Sequence, residues 1–132
     1  MLRPPPRPTP MLNRRQRQMC IRDSFSVARK MGVDLDTLYQ VLDTSMASSK
    51  RLHVIGPALI HDDHEMRFAV DVATKDLVLY TEVAGKSGVP IVVGEAAKIQ
   101  YRLSQSLGYG SENVTKIATS LAELAGASFS NK

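Results

Sequence analysis

The chain has 132 residues, a length that fits a single domain large enough to bury a core. Its 17 Lys and Arg exceed its 13 Asp and Glu, but six of the basic residues and only one acid precede Phe25. From Phe25 onward the charges nearly balance, at 11 basic against 12 acidic residues, and there is no basic stripe of the kind that binds nucleic acid. No stretch is long and apolar enough to span a membrane and no secretory signal is visible, so we expect a cytoplasmic protein.

The first 24 residues differ in composition from the rest of the chain. They hold five of the seven prolines and the only cysteine, Cys20. Such a Pro/Arg-rich segment is typical of a disordered arm that binds nucleic acid or an SH3-like groove, and its prolines argue against the amphipathic helix of a transit peptide. A more specific hypothesis is that Arg14 to Ser24, which read R-R-Q-R-Q-M-C-I-R-D-S, are the translation of a transposase sequencing adapter. Residues 1–24 are then disordered and adapter-derived, and the remainder has no cysteine for a disulfide or a thiolate metal site.

The next segments predict short helices. Phe25 to Met31 is typical of the last two turns of a helix that ends at Gly32, and Asp34 is a suitable N-cap for a second helix from Leu35 to Asp43. A third helix is expected from Lys50 to Ile60, where Gly56-Pro57 should kink or end its first part near Ile55.

A polar segment, His61 to Glu65, follows with the sequence H-D-D-H-E. Two imidazoles and three carboxylates could form a metal site, but neither histidine has the i, i+4 partner of zinc motifs. Turn residues of this kind usually cap the next helix, so the pattern favours a solvated loop and no metal.

The most strongly apolar segment predicts a central helix from Ala69 to Lys86. Its expected buried stripe recurs at spacings of three and four and consists of Phe68, Val72, Ala73, Leu77, Tyr80, Val83 and Ala84. Lys75 and Asp76 fall on the same broad face as Phe68 and Val72, and charges on a largely apolar face are costly unless they are paired.

Two more helices are expected after the Gly88-Val89-Pro90 stop signal, from Ile91 to Leu107 and from Asn113 to Leu124, before a tail at 127–132. No run bounded by turn residues has a convincing strand pattern, and Val89 to Val93 comes nearest. The sequence therefore predicts an all-α domain, a compact bundle of five to six short helices over residues 25–126.

Several of these motifs, in this order, resemble the C-terminal helical domain of the β-hydroxyacid dehydrogenases, the 3-hydroxyisobutyrate dehydrogenase family. They are F-S-V-A-R-K-M-G-V-D, F-x6-K-D-L from Phe68, G-V-P-x4-E from Gly88, and the closing G-Y-G-S-E-N. In that family a Rossmann domain with G-x-G-x-x-G comes first, followed by a long helix with the catalytic lysine in G-x-x-x-K-x-x-x-N. Neither motif occurs here, so the resemblance implies a fragment, truncated at its first long helix and inactive alone.

The resemblance also implies roles for three residues. The missing Rossmann domain would bind most of NAD or NADP, and Lys75 would contact its nicotinamide-ribose or phosphate side. Asp76 would steady Lys75 or form a hydrogen bond nearby, and Phe68 would line the substrate pocket, while no catalytic residue lies in this chain. On the residues alone, Lys75 is instead a surface lysine paired with Asp71 or Asp76.

At the level of the whole protein, the resemblance implies an NAD(P)-dependent oxidoreductase of the 3-hydroxyisobutyrate or 2-hydroxy-3-oxopropionate type. Such a protein acts on a small hydroxy acid and forms a homo-oligomer, with neither nucleic acid nor membrane as a partner. The alternative is a stand-alone helical interaction module with a basic disordered arm.

Overall fold

The computed structural model describes residues 11–129, with side chains described from residue 19 onward. These residues form six α-helices and no strand, which confirms the predicted all-α class. The helices are α1 (Met11–Met31), α2 (Leu35–Asp43), α3 (Leu52–Ile60), α4 (Val70–Lys86), α5 (Val92–Ser104) and α6 (Lys116–Leu124). A π-helical turn, Gln105–Tyr109, continues α5. The loop from α5 to α6, which includes this turn, is called the α5–α6 connection below.

The buried apolar side chains form two clusters that share α6. The first cluster contains side chains of α1, α2, α3 and α6, among them Phe25, Leu52 and Ala118. The second cluster contains side chains of α4, α5 and α6, among them Leu77 and Ile117. Because α6 contributes to both clusters, it joins the two halves of the bundle.

The structure corrects the predicted start of the bundle. Residues 11–24, expected to be disordered, form the first two thirds of α1, whereas residues 1–10 lie outside the described range. Ile21, Phe25 and Ala28 are spaced by four and three residues and are all buried, so the apolar stripe of α1 begins before Phe25. The prolines that suggested disorder all precede Met11, and the Arg- and Gln-rich run after them consists of good helix formers. A disordered arm therefore cannot include residues 11–24.

Gly56-Pro57 was expected to kink or end the helix near Ile55; an end there is wrong, because α3 continues through Pro57 to Ile60. A proline inside a helix removes one backbone hydrogen bond, and the packing of a fully buried Leu52 and Leu59 on either side offsets that loss here. Gly56 has a different role, because a Cβ at this position would clash with the ring of Tyr39 on α2. Glycine thus permits the close approach of α2 and α3.

Candidate functional site

The core-facing side of α4 differs from the predicted stripe. The buried residues of α4 are Val70, Ala73, Thr74, Leu77, Thr81 and Ala84. Phe68, Val72 and Val83, predicted to be buried, are 41%, 42% and 55% exposed. The prediction failed because two threonines replace apolar residues in the stripe, each with its hydroxyl donating to a backbone carbonyl of α4 itself.

The predicted site residues therefore do not face the core. Lys75 is exposed and Asp76 is half-buried, both in the second turn of α4, while Phe68 lies two residues before the helix begins. The charges of Lys75 and Asp76 are therefore not buried on an apolar face, which removes the cost that the sequence pattern suggested.

The first turn of α4 is fixed by the α5–α6 connection. The amides of Val70 and Asp71 donate to the carbonyls of Glu112 and Gly110, each at 2.9 Å. The amide of Val114 donates in turn to the carbonyl of Phe68 at 2.9 Å. Two of the four amides that a helix start normally leaves without an intrahelical partner are thus satisfied, and the backbone of Phe68 is held in place.

Lys75 makes no ion pair or hydrogen bond within the part of the chain that the structure describes. The alternative that Lys75 pairs with Asp71 or Asp76 is therefore not what the structure contains. Asp71 instead accepts a 2.6 Å hydrogen bond at Oδ1 from Nε2 of Gln105 in the π-helical turn. An exposed lysine without a partner is chemically suited to bind an anionic or hydroxyl-rich ligand.

A cavity of about 260 Å³ lies between α3, the 61–68 loop and the α5–α6 connection. Its walls include Phe68, Arg51 and Asn113, but neither Lys75 nor Asp76. The structure thus places one predicted site residue in a cavity and the other two outside it, on the exposed surface of α4.

The burial and hydrogen bonding of the His64 side chain were not predicted from the sequence. The 61–65 segment was expected to be a solvated loop, yet the His64 side chain is only 4% exposed. Its ring joins two partners, with Nδ1 at 2.7 Å from Oγ1 of Thr115 and Nε2 at 2.9 Å from Oδ1 of Asp62. Asp62 also accepts a 3.2 Å bond from Lys116, so this loop is tied to the start of α6.

Burial lowers the pKa of His64, and the nearby charge of Lys116 lowers it further, although Asp62 and Asp63 act in the opposite direction. A histidine with a lowered pKa binds protons less readily folded than unfolded, so acid favours unfolding. We therefore expect the free energy of unfolding to fall as the pH drops below about 6.5, the ordinary histidine value.

Urea unfolding at pH 7.5 and pH 5 checks this expectation. His64→Gln keeps hydrogen-bonding capacity but cannot be protonated, so the variant should lose less stability between the two pH values than the parent chain. His61→Gln, in the exposed histidine of the same loop, is the matched control and should behave like the parent. Equal acid sensitivity in the parent and His64→Gln would contradict the assignment.

Arg22 is the other residue that sequence reasoning missed. Its side chain is 1% exposed, and its guanidinium lies 5.1 Å from the ring centroid of Tyr101 on α5. Nη1 donates to the carbonyl of Val114 at 2.9 Å, and Nη2 donates to the Tyr101 hydroxyl at 3.2 Å. Arg22 thereby joins α1 to the same backbone segment that positions Phe68.

The described residues contain no group of three or more His, Cys, Asp and Glu side chains that could hold a metal ion. Within residues 11–129, none of the helices has the length and apolar character that crossing a membrane requires.

Comparison with known proteins gives consistent matches. The chain is 28% identical over 91 residues to an L-threonate dehydrogenase of Cupriavidus necator, an alignment that covers 69% of this chain and 31% of that protein. Its fold is similar to the crystal structure of a 3-hydroxyisobutyrate dehydrogenase from Salmonella typhimurium, with a TM-score of 0.74 and 22% identity. That similarity covers 79% of this chain and 36% of the solved one. The chain thus spans about a third of the length of each relative.

A family model described as the NAD-binding domain of NADP-dependent 3-hydroxyisobutyrate dehydrogenase matches residues 18–121. The match covers most of the chain, including α2 to α5, the π-helical turn and the first two thirds of α6. The chain therefore belongs to this NAD-binding family of the 3-hydroxyisobutyrate dehydrogenases.

Proposed function

We propose that this chain is the helical part of an NAD(P)-dependent oxidoreductase that acts on a small hydroxy acid, of the 3-hydroxyisobutyrate or 2-hydroxy-3-oxopropionate type. The proposal rests on Lys75, an exposed lysine with no partner among the described residues, in a chain that belongs to an NAD-binding family. The names of its relatives, an L-threonate and a 3-hydroxyisobutyrate dehydrogenase, support a hydroxy acid as the substrate class.

In this proposal each residue has a distinct task. Lys75 binds the phosphate or ribose side of the cofactor, for which a flexible ammonium with three donors is suited. Asp76, adjacent and half-buried, steadies that region of α4, and Phe68 lines the substrate pocket. The nicotinamide ring of a bound cofactor supplies or accepts the hydride, and the residues of this chain bind and orient.

Titration of the ¹⁵N-labelled chain with NADP⁺, followed by NMR, tests the role of Lys75. We expect amide shifts around Lys75 and an affinity about fivefold lower in Lys75→Met, as removal of a charged hydrogen bond at an exposed site implies. Lys86→Met is the matched control, because Lys86 is exposed in the last turn of the same helix. Equal affinities of the two variants would refute the role of Lys75.

The 132-residue polypeptide itself should show no dehydrogenase turnover. Its sequence contains neither G-x-G-x-x-G nor K-x-x-x-N, so it lacks the motifs that the resemblance assigns to cofactor binding and proton transfer. The assay follows NADH and NADPH absorbance with 3-hydroxyisobutyrate and with tartronate semialdehyde as substrates. Measurable turnover of either one would contradict this prediction.

We also propose that the chain forms a homo-oligomer through the outer faces of α4 and α5. Both helices expose apolar side chains at helical spacing, namely Val72, Leu79 and Val83 on α4 and Val92, Ile99 and Leu103 on α5. Light scattering after gel filtration should show self-association of the parent chain, and Leu79→Lys with Ile99→Lys should shift it to monomers. Met46→Lys, in a fully exposed loop residue, is the control and should leave the mass unchanged. A monomeric parent chain would refute the proposal.

The adapter origin of residues 1–24 stays a proposal. Its support is the run of eleven residues from Arg14 to Ser24 that translates an adapter. The family match begins at residue 18 and Ile21 is buried, so the end of this segment fits the bundle whatever its origin. Only the source DNA distinguishes the two origins.

A further inference from the structure

Asp71 precedes Lys75 by four residues on α4, the spacing at which a carboxylate and an ammonium normally pair on a helix surface. The order is also the favourable one, with the acid on the N-terminal side. Nevertheless, within residues 11–129 the two side chains form no ion pair. Something else must therefore hold the carboxylate of Asp71.

Gln105 supplies that contact, because its Nε2 donates to Oδ1 of Asp71 at 2.6 Å. Gln105 is the first residue of the π-helical turn, at the point where α5 changes its winding. Turns of this kind displace side chains from the positions that a regular helix would give them.

Gly110 provides the space for this arrangement. A Cβ at Gly110 would lie 2.5 Å from Oδ1 of Asp71, so any larger residue would displace the carboxylate. The backbone φ of Gly110 is −55°, which every residue adopts, so glycine is not required there for its conformation. The close approach to Asp71 is what a glycine at this position permits.

We propose that Gln105 and Gly110 are positioning residues that hold Asp71 against the α5–α6 connection and so keep the Lys75 ammonium available for a nicotinamide nucleotide. The inference rests on the proposed role of Lys75, since it explains how that lysine stays unpaired. Loss of the hydrogen bond from Gln105, or a larger residue at Gly110, frees Asp71 to pair with Lys75 and to compete with the anionic ligand.

Competitive acetylation of the ligand-free chain with acetic anhydride, read by mass spectrometry, tests the positioning. A lysine paired with a carboxylate gives up its proton less readily and reacts more slowly. We expect Gln105→Ala to slow acetylation of Lys75 about twofold relative to Lys86, as the strength of a helical i, i+4 pair implies. Gly110→Ala should have the same effect through displacement of Asp71.

Two controls separate positioning from a general change of structure. In Asp71→Asn the competing charge is absent, so adding Gln105→Ala should no longer slow Lys75. Ser106→Ala alters the neighbouring residue, whose hydroxyl donates to the Leu103 carbonyl, and should leave Lys75 unchanged. An unchanged rate in Gln105→Ala, or an equal slowing in the Asp71→Asn background, would overturn the inference.

The acetylation readout needs no nucleotide, so it is independent of the proposed function. NADP⁺ titration of the same variants then links the position of Asp71 to nucleotide binding. We expect a reduced affinity for NADP⁺ in Gln105→Ala and a restored affinity in the double variant with Asp71→Asn. Absence of NADP⁺ binding to the parent chain would refute the proposed role of Lys75 in this chain, while the acetylation result alone decides on Gln105.

Discussion

Replacement of Phe25 by alanine should lower the free energy of unfolding by about 3–5 kcal/mol, the usual cost of removing a fully buried aromatic ring. Phe25 has 0% exposure and lies in the cluster where α1 meets α3 and α6. The Phe25 ring also lies close to Gly56 on α3, a helix that packs closely against α2. The cavity that the substitution leaves is therefore poorly able to collapse. The loss should appear as a lower urea midpoint with an unchanged slope.

Val27→Ala is the matched control on the same helix. Val27 is 57% exposed and two residues from Phe25, so its truncation should change stability by no more than about 0.5 kcal/mol. Comparable losses of stability in Phe25→Ala and Val27→Ala would show that the face of α1 that contains Phe25 is not the face that packs against the bundle.

Arg22→Ala should cost about 3 kcal/mol, because it both opens a cavity and removes two hydrogen bonds to buried partners. The carbonyl of Val114 and the hydroxyl of Tyr101 would each lose their bond to the guanidinium. The amide of Val114 bonds to the Phe68 carbonyl, so amide hydrogen exchange in this region should increase as well.

Arg102→Ala is the control for this change, since Arg102 is an exposed arginine on α5 whose side chain makes no hydrogen bond or ion pair among the described residues. Its removal should have an effect within about 0.5 kcal/mol. If Arg22→Ala were equally harmless, residues before Phe25 would contribute nothing to the stability of the bundle.

The helices of the bundle could be predicted because their signals are local. Asp34 caps α2 as expected, accepting from the amide of Thr37 at 2.8 Å, and Gly32, where the first helix was expected to end, adopts a positive φ. The family resemblance, drawn from motifs in their order, agrees with the family match over residues 18–121. Both kinds of evidence use residues close together in the sequence.

The predictions that failed concern contacts between distant segments. The buried face of α4 contains Thr74 and Thr81, whose burial depends on bonds to backbone carbonyls that a hydrophobicity pattern cannot register. His64 is buried where its Nδ1 forms a hydrogen bond with Oγ1 of Thr115, 51 residues later. Arg22 was assigned to a solvated basic arm, although Val114, 92 residues away, provides its acceptor.

The pairing of Lys75 could not be predicted for the same reason. A helical pattern places Asp71 next to Lys75, and only the fold brings Gln105 close enough to compete for the carboxylate. An acid and a lysine four residues apart on a helix usually pair, but here the hydrogen bond from Gln105 to Asp71 takes the place of that pair. The role of Lys75 thus depends on a residue 30 positions further along the chain.

Sequencing the source DNA upstream of the Phe25 codon from unfragmented template tests whether this chain is the helical part of a dehydrogenase. If the chain is the helical part of a dehydrogenase, the DNA should encode a continuous helix with K-x-x-x-N and, further upstream, G-x-G-x-x-G after a predicted strand. Intact DNA that instead carries the same codons for residues 1–24, with no such motifs before them, would contradict both the adapter origin and the dehydrogenase assignment.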